Sequence, residues 1–394
     1  MRERLKVVLS FVLIFSFSSI DSAISPLVGP IHDHFGVLLD EALWLISSAT
    51  AGIVIGVLAG PALTSGFRVS RLLAWGAAGL VAAHALFLLS RSFAMALLFR
   101  FVFGLSCGTV ASVMWWLTFH GVAQEYYPAM IVVLMSARPL ATAIGVPAAG
   151  LAAARLGWQA PLWALGICIA ISGAGLYWAL PAEPDQKKPP RLGRVLGEYA
   201  DALRIPYACA YYAGTTVNRM CYFGIYALSG IWFMHHYRLG LESISLALLI
   251  IGLAEALVNF IVPQMLKAFG HDRLFTGSLV LSGLLLPLFI TGRLPLAWAV
   301  ALAAVFMLLD RVYSMAAIIT IPQMFPVMGN KTTFGSLNTL TAWLALTLIS
   351  GFEARYTEAL GIGAIQRVLV ACFLLGSALI YWVQRETVLG KAKP

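Results

Sequence analysis

The chain has 394 residues, of which 60% are hydrophobic and only 11% charged, with a mean hydropathy of +0.88. A soluble domain carries about 25% charged residues, so this composition excludes an ordinary soluble protein. The net charge of +9 sits mainly in short loops and tails. That placement excludes a nucleic-acid-binding arm and suits orientation in a membrane.

Apolar blocks long enough to span a bilayer, about 20 residues each, recur along the whole chain. In order they fall at 7–30, 42–64, 72–91, 94–119, 128–153, 158–181, 206–234, 243–266, 273–291, 295–323, 332–352 and 363–384, which predicts twelve spans. The first block has the basic start of a signal peptide. It continues past any small-residue cleavage site, so it is expected to stay as a span.

The long connection, "AEPDQKKPPRLGRVLGEYADALRI" (182–205), is charged and proline-bearing. It divides the chain into a six-helix half at 1–181 and a second at 206–394. Within it Leu192, Val195, Leu196, Tyr199 and Leu203 recur at helical spacing, which predicts a short amphipathic helix on the membrane surface. With the N-terminus placed in the cytoplasm, inner segments hold sixteen lysines and arginines and outer loops six. Both termini are therefore expected inside, in a bacterial-type cytoplasmic (inner) membrane.

The five cysteines (Cys107, Cys168, Cys209, Cys221 and Cys372) lie in apolar blocks without CxxC spacing and read as packing residues. No His-Glu-x-x-His helix or Walker-type phosphate loop occurs, so neither a metal nor direct use of ATP is expected, and no other cofactor is called for. No cluster of nucleophiles or acids gathers at one membrane face, so the chain does not read as an enzyme.

Away from the span ends, the membrane-embedded charges are few: Asp21, Arg100, Arg138, Arg219, Glu255, Asp310 and Arg311. A charge at a helix centre costs about 2.5–3.5 kcal/mol on insertion scales. Such residues serve function, or hold helices together as structural pairs. Asp21 follows Lys6 by fifteen residues and Arg219 follows Arg204 by fifteen, which sets both at one depth. Arg100 lies one or two turns into a helix running the other way, which at 1.5 Å per residue brings it near the height of Asp21. An Asp21–Arg100 ion pair is expected. Tyr207, Trp115 and Trp116, at helix ends, read as interfacial anchors, and Tyr222 and Tyr226 as cavity wall.

Four stretches carry a family resemblance. "DSAISPLVGPIHDHFG" resembles the end of the first helix of the major facilitator superfamily. "RFVFGLSCG" resembles its fourth-helix motif Arg-x-x-Gln-Gly, with Arg100 and Gly104 in place and Phe103 where glutamine is usual. "ATAIGVPAAGLAAARLGWQAPLW" resembles the glycine-proline motif of drug-efflux antiporters through Gly145, Pro147 and Gly150, with Val146 interrupting the pair. "GPALTSGFRVSRLL" keeps Gly60, Arg68 and Arg71 of the loop 2–3 signature, with Thr64 and Ser65 where aspartate is usual.

The resemblance covers nearly the whole chain. It implies an all-α membrane fold of twelve helices in two pseudo-symmetric halves, with a site near the midplane lined by helices 1, 4, 7 and 10. On those helices Asp21 and Arg100 are expected to couple protons, and Asn218, Arg219, Tyr222, Tyr226, Asp310 and Arg311 to bind substrate. Helices 5 and 8 abut across the halves in this family, so Arg138 and Glu255 are expected to form an inter-half gating pair. The function implied is a secondary transporter working by alternating access, with proton-coupled efflux of a small organic molecule as the leading reading. Uptake of a metabolite or siderophore-like compound, or lipid flipping, are the alternatives. Expected partners are a small-molecule substrate, protons and the lipid bilayer, with no nucleic acid, and the carrier is expected to be a monomer.

Overall fold

The computed structural model describes residues 2–180, 192–290, 294–319, 324–325 and 331–387. Residue 181 in the sixth expected span, 182–191 of the expected connection, 291 in the ninth span and 320–323 in the tenth lie outside the described residues. The described residues are nearly all helical. A lipid environment leaves backbone N–H and C=O groups no outside partner, and a helix satisfies them internally.

Helix α1 (Arg2–Ser22) leads through a bend to α2 (Val28–Phe35). Pro26 and Pro30 cannot donate backbone hydrogen bonds there, while Leu27 and Ile31 still donate to Ala23 and Leu27. A 3-10 turn at Glu41–Leu43 opens α3 (Trp44–Gly66), followed by α4 (Val69–Leu89) and α5 (Phe93–Trp116). The predicted span 128–153 is divided. Helix α6 (Tyr127–Leu140) passes through a π-helical turn, Ala141–Gly145, into α7 (Val146–Leu156). Pro139 and Pro147 flank that turn, and each removes a helix hydrogen bond.

Helix α8 (Gln159–Ala179) precedes the connection, of which α9 (Leu192–Arg204) is the described part. The chain then forms α10 (Ala208–Tyr237), α11 (Leu241–Phe269), α12 (His271–Ile290), α13 (Leu296–Ile319), α14 (Lys331–Leu360) and α15 (Ile362–Thr387). Nine helical segments among the described residues have the length and hydropathy to cross a membrane. The chain is an integral membrane protein.

Successive helices run up and down. At the end where α1 starts, the near face, Arg2 Nε donates to the Ala179 carbonyl at 3.1 Å, and Lys6 Nζ to that of Gly121 at 2.8 Å. On the opposite, far face the Glu358 N–H donates to Asp40 Oδ2 at 2.8 Å, and Gln159 Nε2 to the Leu88 carbonyl at 3.0 Å. Helices α3, α4 and α5 pack together, with α8 on α1 and α4. In the second part of the chain α10 packs on α14 and α15, and α13 on α11 and α12. Contacts between these sets run mainly through α3 with α14, and through α7 and the π turn with α11.

Small residues allow the closest of these approaches. Gly52, Gly56, Gly104 and Gly108 bring α3 and α5 into backbone contact, and a Cβ on Gly104 would overlap the Ala49 carbonyl oxygen. Gly104→Ala is expected to cost about 1–3 kcal/mol by forcing the helices apart. Thermal unfolding of the detergent-purified protein checks this. Gly193→Ala in α9, where nothing lies within 4 Å of the new Cβ, should leave the transition unmoved or slightly higher.

Candidate functional site

A pocket lies between the two sets of helices. Asp21 and Ser22 of α1, Ser25 from the bend, Arg138 of α6 and Thr142 of the π turn form one side. Tyr222, Phe223 and Tyr226 of α10 form the other, with Ile46 and Leu346 beside them. The broken segments thus contribute to its wall: the bend after α1 supplies Ser25, and the π turn supplies Thr142. Irregular backbone at membrane depth is tolerated where protein or a cavity adjoins it.

Asp21 lies between the pocket and Arg100. The carboxylate is 4% exposed, and Arg100 Nη2 donates to its Oδ1 at 3.2 Å. Arg100 itself has no exposure. Its Nε also reaches the Leu45 carbonyl at 3.4 Å, and its guanidinium lies 5.3 Å from the Phe103 ring centroid and 5.8 Å from that of Phe87. Phe103 stands where glutamine is usual, so the arginine meets an aromatic face there instead of an amide oxygen. Arg100 Nη1 has no partner among the described residues.

The other expected residues divide. Tyr222 and Tyr226 line the pocket; Asn218, Arg219, Asp310 and Arg311 do not. Arg219 is satisfied by neutral oxygens of α14. Its Nη1 donates to the Asn338 carbonyl at 2.6 Å and Thr341 Oγ1 at 2.7 Å, and its Nη2 to Asn338 Oδ1 at 3.0 Å. Asn218 Nδ2 donates to Ser377 Oγ at 2.9 Å, and its Oδ1 accepts from the Tyr313 hydroxyl. Asp310 is buried, with Oδ1 unpartnered among the described residues.

The expected Arg138–Glu255 pair does not form. Glu255 of α11 accepts from Arg311 Nη2 on α13. Helices α11 and α13 pack directly on each other, which gives the glutamate a nearer arginine than one on α6. Arg138 instead lies over the Trp343 ring of α14, 3.8 Å from its centroid. The helix-5 residues pack at helix crossings. A Cβ on Gly145 would meet Ser19 of α1, one on Gly150 would meet Ser245 of α11, and Pro147 is buried in the first turn of α7.

Glu353 was not among the expected intramembrane charges, because the predicted span ended at 352. Helix α14 continues to Leu360, which carries Glu353 to full burial with both carboxylate oxygens unpartnered among the described residues. A Cβ on Gly224 of α10 would lie 2.8 Å from Glu353 Oε1. The available signal was the amphipathic continuation of the helix beyond Ser350.

A helical integral membrane protein with buried ion pairs around an internal pocket between two helix sets has the build of a membrane transporter. Residues 9–352 match the Major Facilitator Superfamily, and the chain belongs to that family. It is 24% identical over 301 residues to the uncharacterized MFS-type transporter YceJ of Bacillus subtilis (strain 168), covering 71% of each chain. The fold is similar to that of the human organic anion transporter MFSD10 (TETRAN), with a TM-score of 0.68 and 17% identity, over 96% of this chain and 99% of that one. It is also similar to the peptide transporter POT in complex with alafosfalin. There the TM-score is 0.72 and the identity 14%, over 98% of this chain and 95% of the other.

Proposed function

We propose that the chain is a proton-coupled secondary transporter of a small organic molecule, working by alternating access between two six-helix halves with twelve spans in all. The single observation carrying this reading is Asp21, which lines the pocket on one side and holds Arg100 on the other. A carboxylate so placed can gain and lose a proton as the pair opens and closes, and so links cargo to the proton gradient. The cross-contacts at the pocket wall and on the far face beyond it support one closed gate. Ser25 Oγ donates to the Tyr226 carbonyl at 2.7 Å, and Ser47 Oγ to that of Thr347 at 2.9 Å. With both termini in the cytoplasm of a bacterial-type inner membrane, the closed gate is the outer one and the pocket faces inward.

Export is the direction suggested by the likeness of Gly145, Pro147 and Gly150 to the drug-antiporter motif. Uptake together with protons is a second reading, favoured by a specific observation: Arg138 stands in the same pocket without an acidic or carbonyl partner among the described residues. A carrier of either direction can work as a monomer, because the pocket is built from one chain.

Asp21→Asn keeps the side-chain shape and removes the titration. In proteoliposomes this variant should lose accumulation driven by a pH gradient, yet retain exchange of cargo at equal concentrations. If it still concentrates cargo on a pH gradient alone, Asp21 is not the coupling site. Loss of both activities together with folding would make the pair a structural strut.

A further inference from the structure

Four described arginines lie among the spanning helices at the level of the pocket, and three have acceptors. Arg100 meets Asp21, Arg219 meets Asn338 and Thr341, and Arg311 meets Glu255. Arg138 is the exception. It is half-buried and lines the pocket, and no hydrogen bond or ion pair joins its guanidinium to the described residues. Among the described residues the Trp343 ring lies over it, 3.8 Å to the ring centroid. A ring face attracts positive charge but accepts no strong hydrogen bond, so the five N–H donors of the guanidinium stay available. An arginine at membrane depth normally finds an acceptor. Here the space in front of it is the cavity.

We propose that Arg138 is the anion-binding residue of this pocket, and that the cargo is a small organic anion with an apolar or aromatic body. The negative group takes the N–H edge of the guanidinium, which suits a two-oxygen acceptor such as a carboxylate or sulfonate. The body lies against Tyr222, Phe223 and Tyr226 across the cavity. Arg138 comes from α6 and Trp343 from α14, so the occupied site joins the two helix sets. This inference rests on the carrier reading above and assigns its cargo class to Arg138, not to Arg219.

The same geometry sets the sign of coupling. The charged and titratable groups around Asp21 are Arg100 and Cys107 from α5, Arg138 from α6, and the hydroxyls of Tyr222 and Tyr226 from α10. Ionised, Asp21 repels a second anion in the pocket. Protonated, it no longer does, and Arg100 and Arg138 both draw the cargo. By linkage, proton and anion each strengthen the other's binding. They therefore move together, which is the uptake reading.

The test uses the full chain with three probes: 2-naphthalenesulfonate, anionic at every working pH; the neutral 2-naphthalenesulfonamide; and the cation tetraphenylphosphonium. Wild-type protein should bind the sulfonate about tenfold or more tighter than the sulfonamide, and Arg138→Gln should erase that preference. Arg138→Lys, which keeps the charge and loses the planar fork, should retain part of it; it also serves if the glutamine variant does not fold. Asp21→Asn, which removes the carboxylate that repels an anion in the pocket, should bind the sulfonate more tightly than the wild type at the same pH. Equal binding of sulfonate and sulfonamide, or an unchanged sulfonate affinity in Arg138→Gln, overturns the inference. If proteoliposomes carry the cation or the sulfonamide and exclude the sulfonate, the carrier reading stands and the anion site falls. If they carry none of the three, the carrier reading itself fails.

Discussion

Glu255→Gln, with Arg311 left in place, is expected to lower stability by about 3 kcal/mol, the lower end of the range for breaking a buried ion pair. The lower end applies because the Arg311 side chain is 29% exposed while that of Glu255 is 4% exposed. Removing the carboxylate takes away the guanidinium's ion pair and leaves it the Tyr222 ring, 5.9 Å from its centroid, and the charge of the neighbouring Asp310. The cost is the stranded charge more than the lost bond, so Glu255→Gln combined with Arg311→Met should recover most of it. Thermal unfolding of the four proteins in detergent measures the coupling. Glu255→Gln should add independently to Arg138→Gln, because those two do not touch. Strong coupling to Arg138 and none to Arg311 would refute the pairing.

Gly230→Val and Gly252→Val are expected to fold and yet lose most transport. Both glycines sit where α10 and α11 meet the first set of helices. A Cβ on Gly230 would overlap the Ser25 carbonyl oxygen, and one on Gly252 would lie 2.6 Å from Ala143 Cα. Overpacking of this kind costs about 1–3 kcal/mol. Here the cost falls on one closed gate rather than on the interior of a helix set, so the carrier can avoid it by opening. A shift of about 1.4 kcal/mol changes the ratio of two conformers tenfold. Spin labels replacing Arg155 and Glu242 report the change, since these side chains are largely exposed and pair across that gate at 3.7 Å. The label separation should widen in both valine variants. An unchanged separation with normal transport would mean that the contacts are not a gate.

Much of the fold could be read from the chain alone, for a reason particular to membranes. Lipid forces each apolar run of sufficient length into a helix, so the spacing of those runs determines the order of elements. The amphipathic helix α9 was legible from the spacing of Leu196, Tyr199 and Leu203. The Asp21–Arg100 contact was legible too, because helical rise alone set the two side chains at one height.

What the tertiary structure decided was rotational phase and neighbour. Depth along a helix follows from counting residues, but which helix a side chain faces depends on packing. By depth, Glu255 suited Arg138; the direct contact of α11 with α13 gave it Arg311 instead, and left Arg138 over Trp343. Arg219 had the depth of a cargo ligand, and α14 brought Asn338 and Thr341 to satisfy it. Glu353 lay beyond the predicted end of its span, and only the continuation of α14 against Gly224 buried it. The sequence by itself determined which segments are helices and how deep each charge lies. The packed helices determined which charges are neutralised by protein and that Arg138 is left facing the pocket, because that depends on contacts between different helices, well separated in the chain.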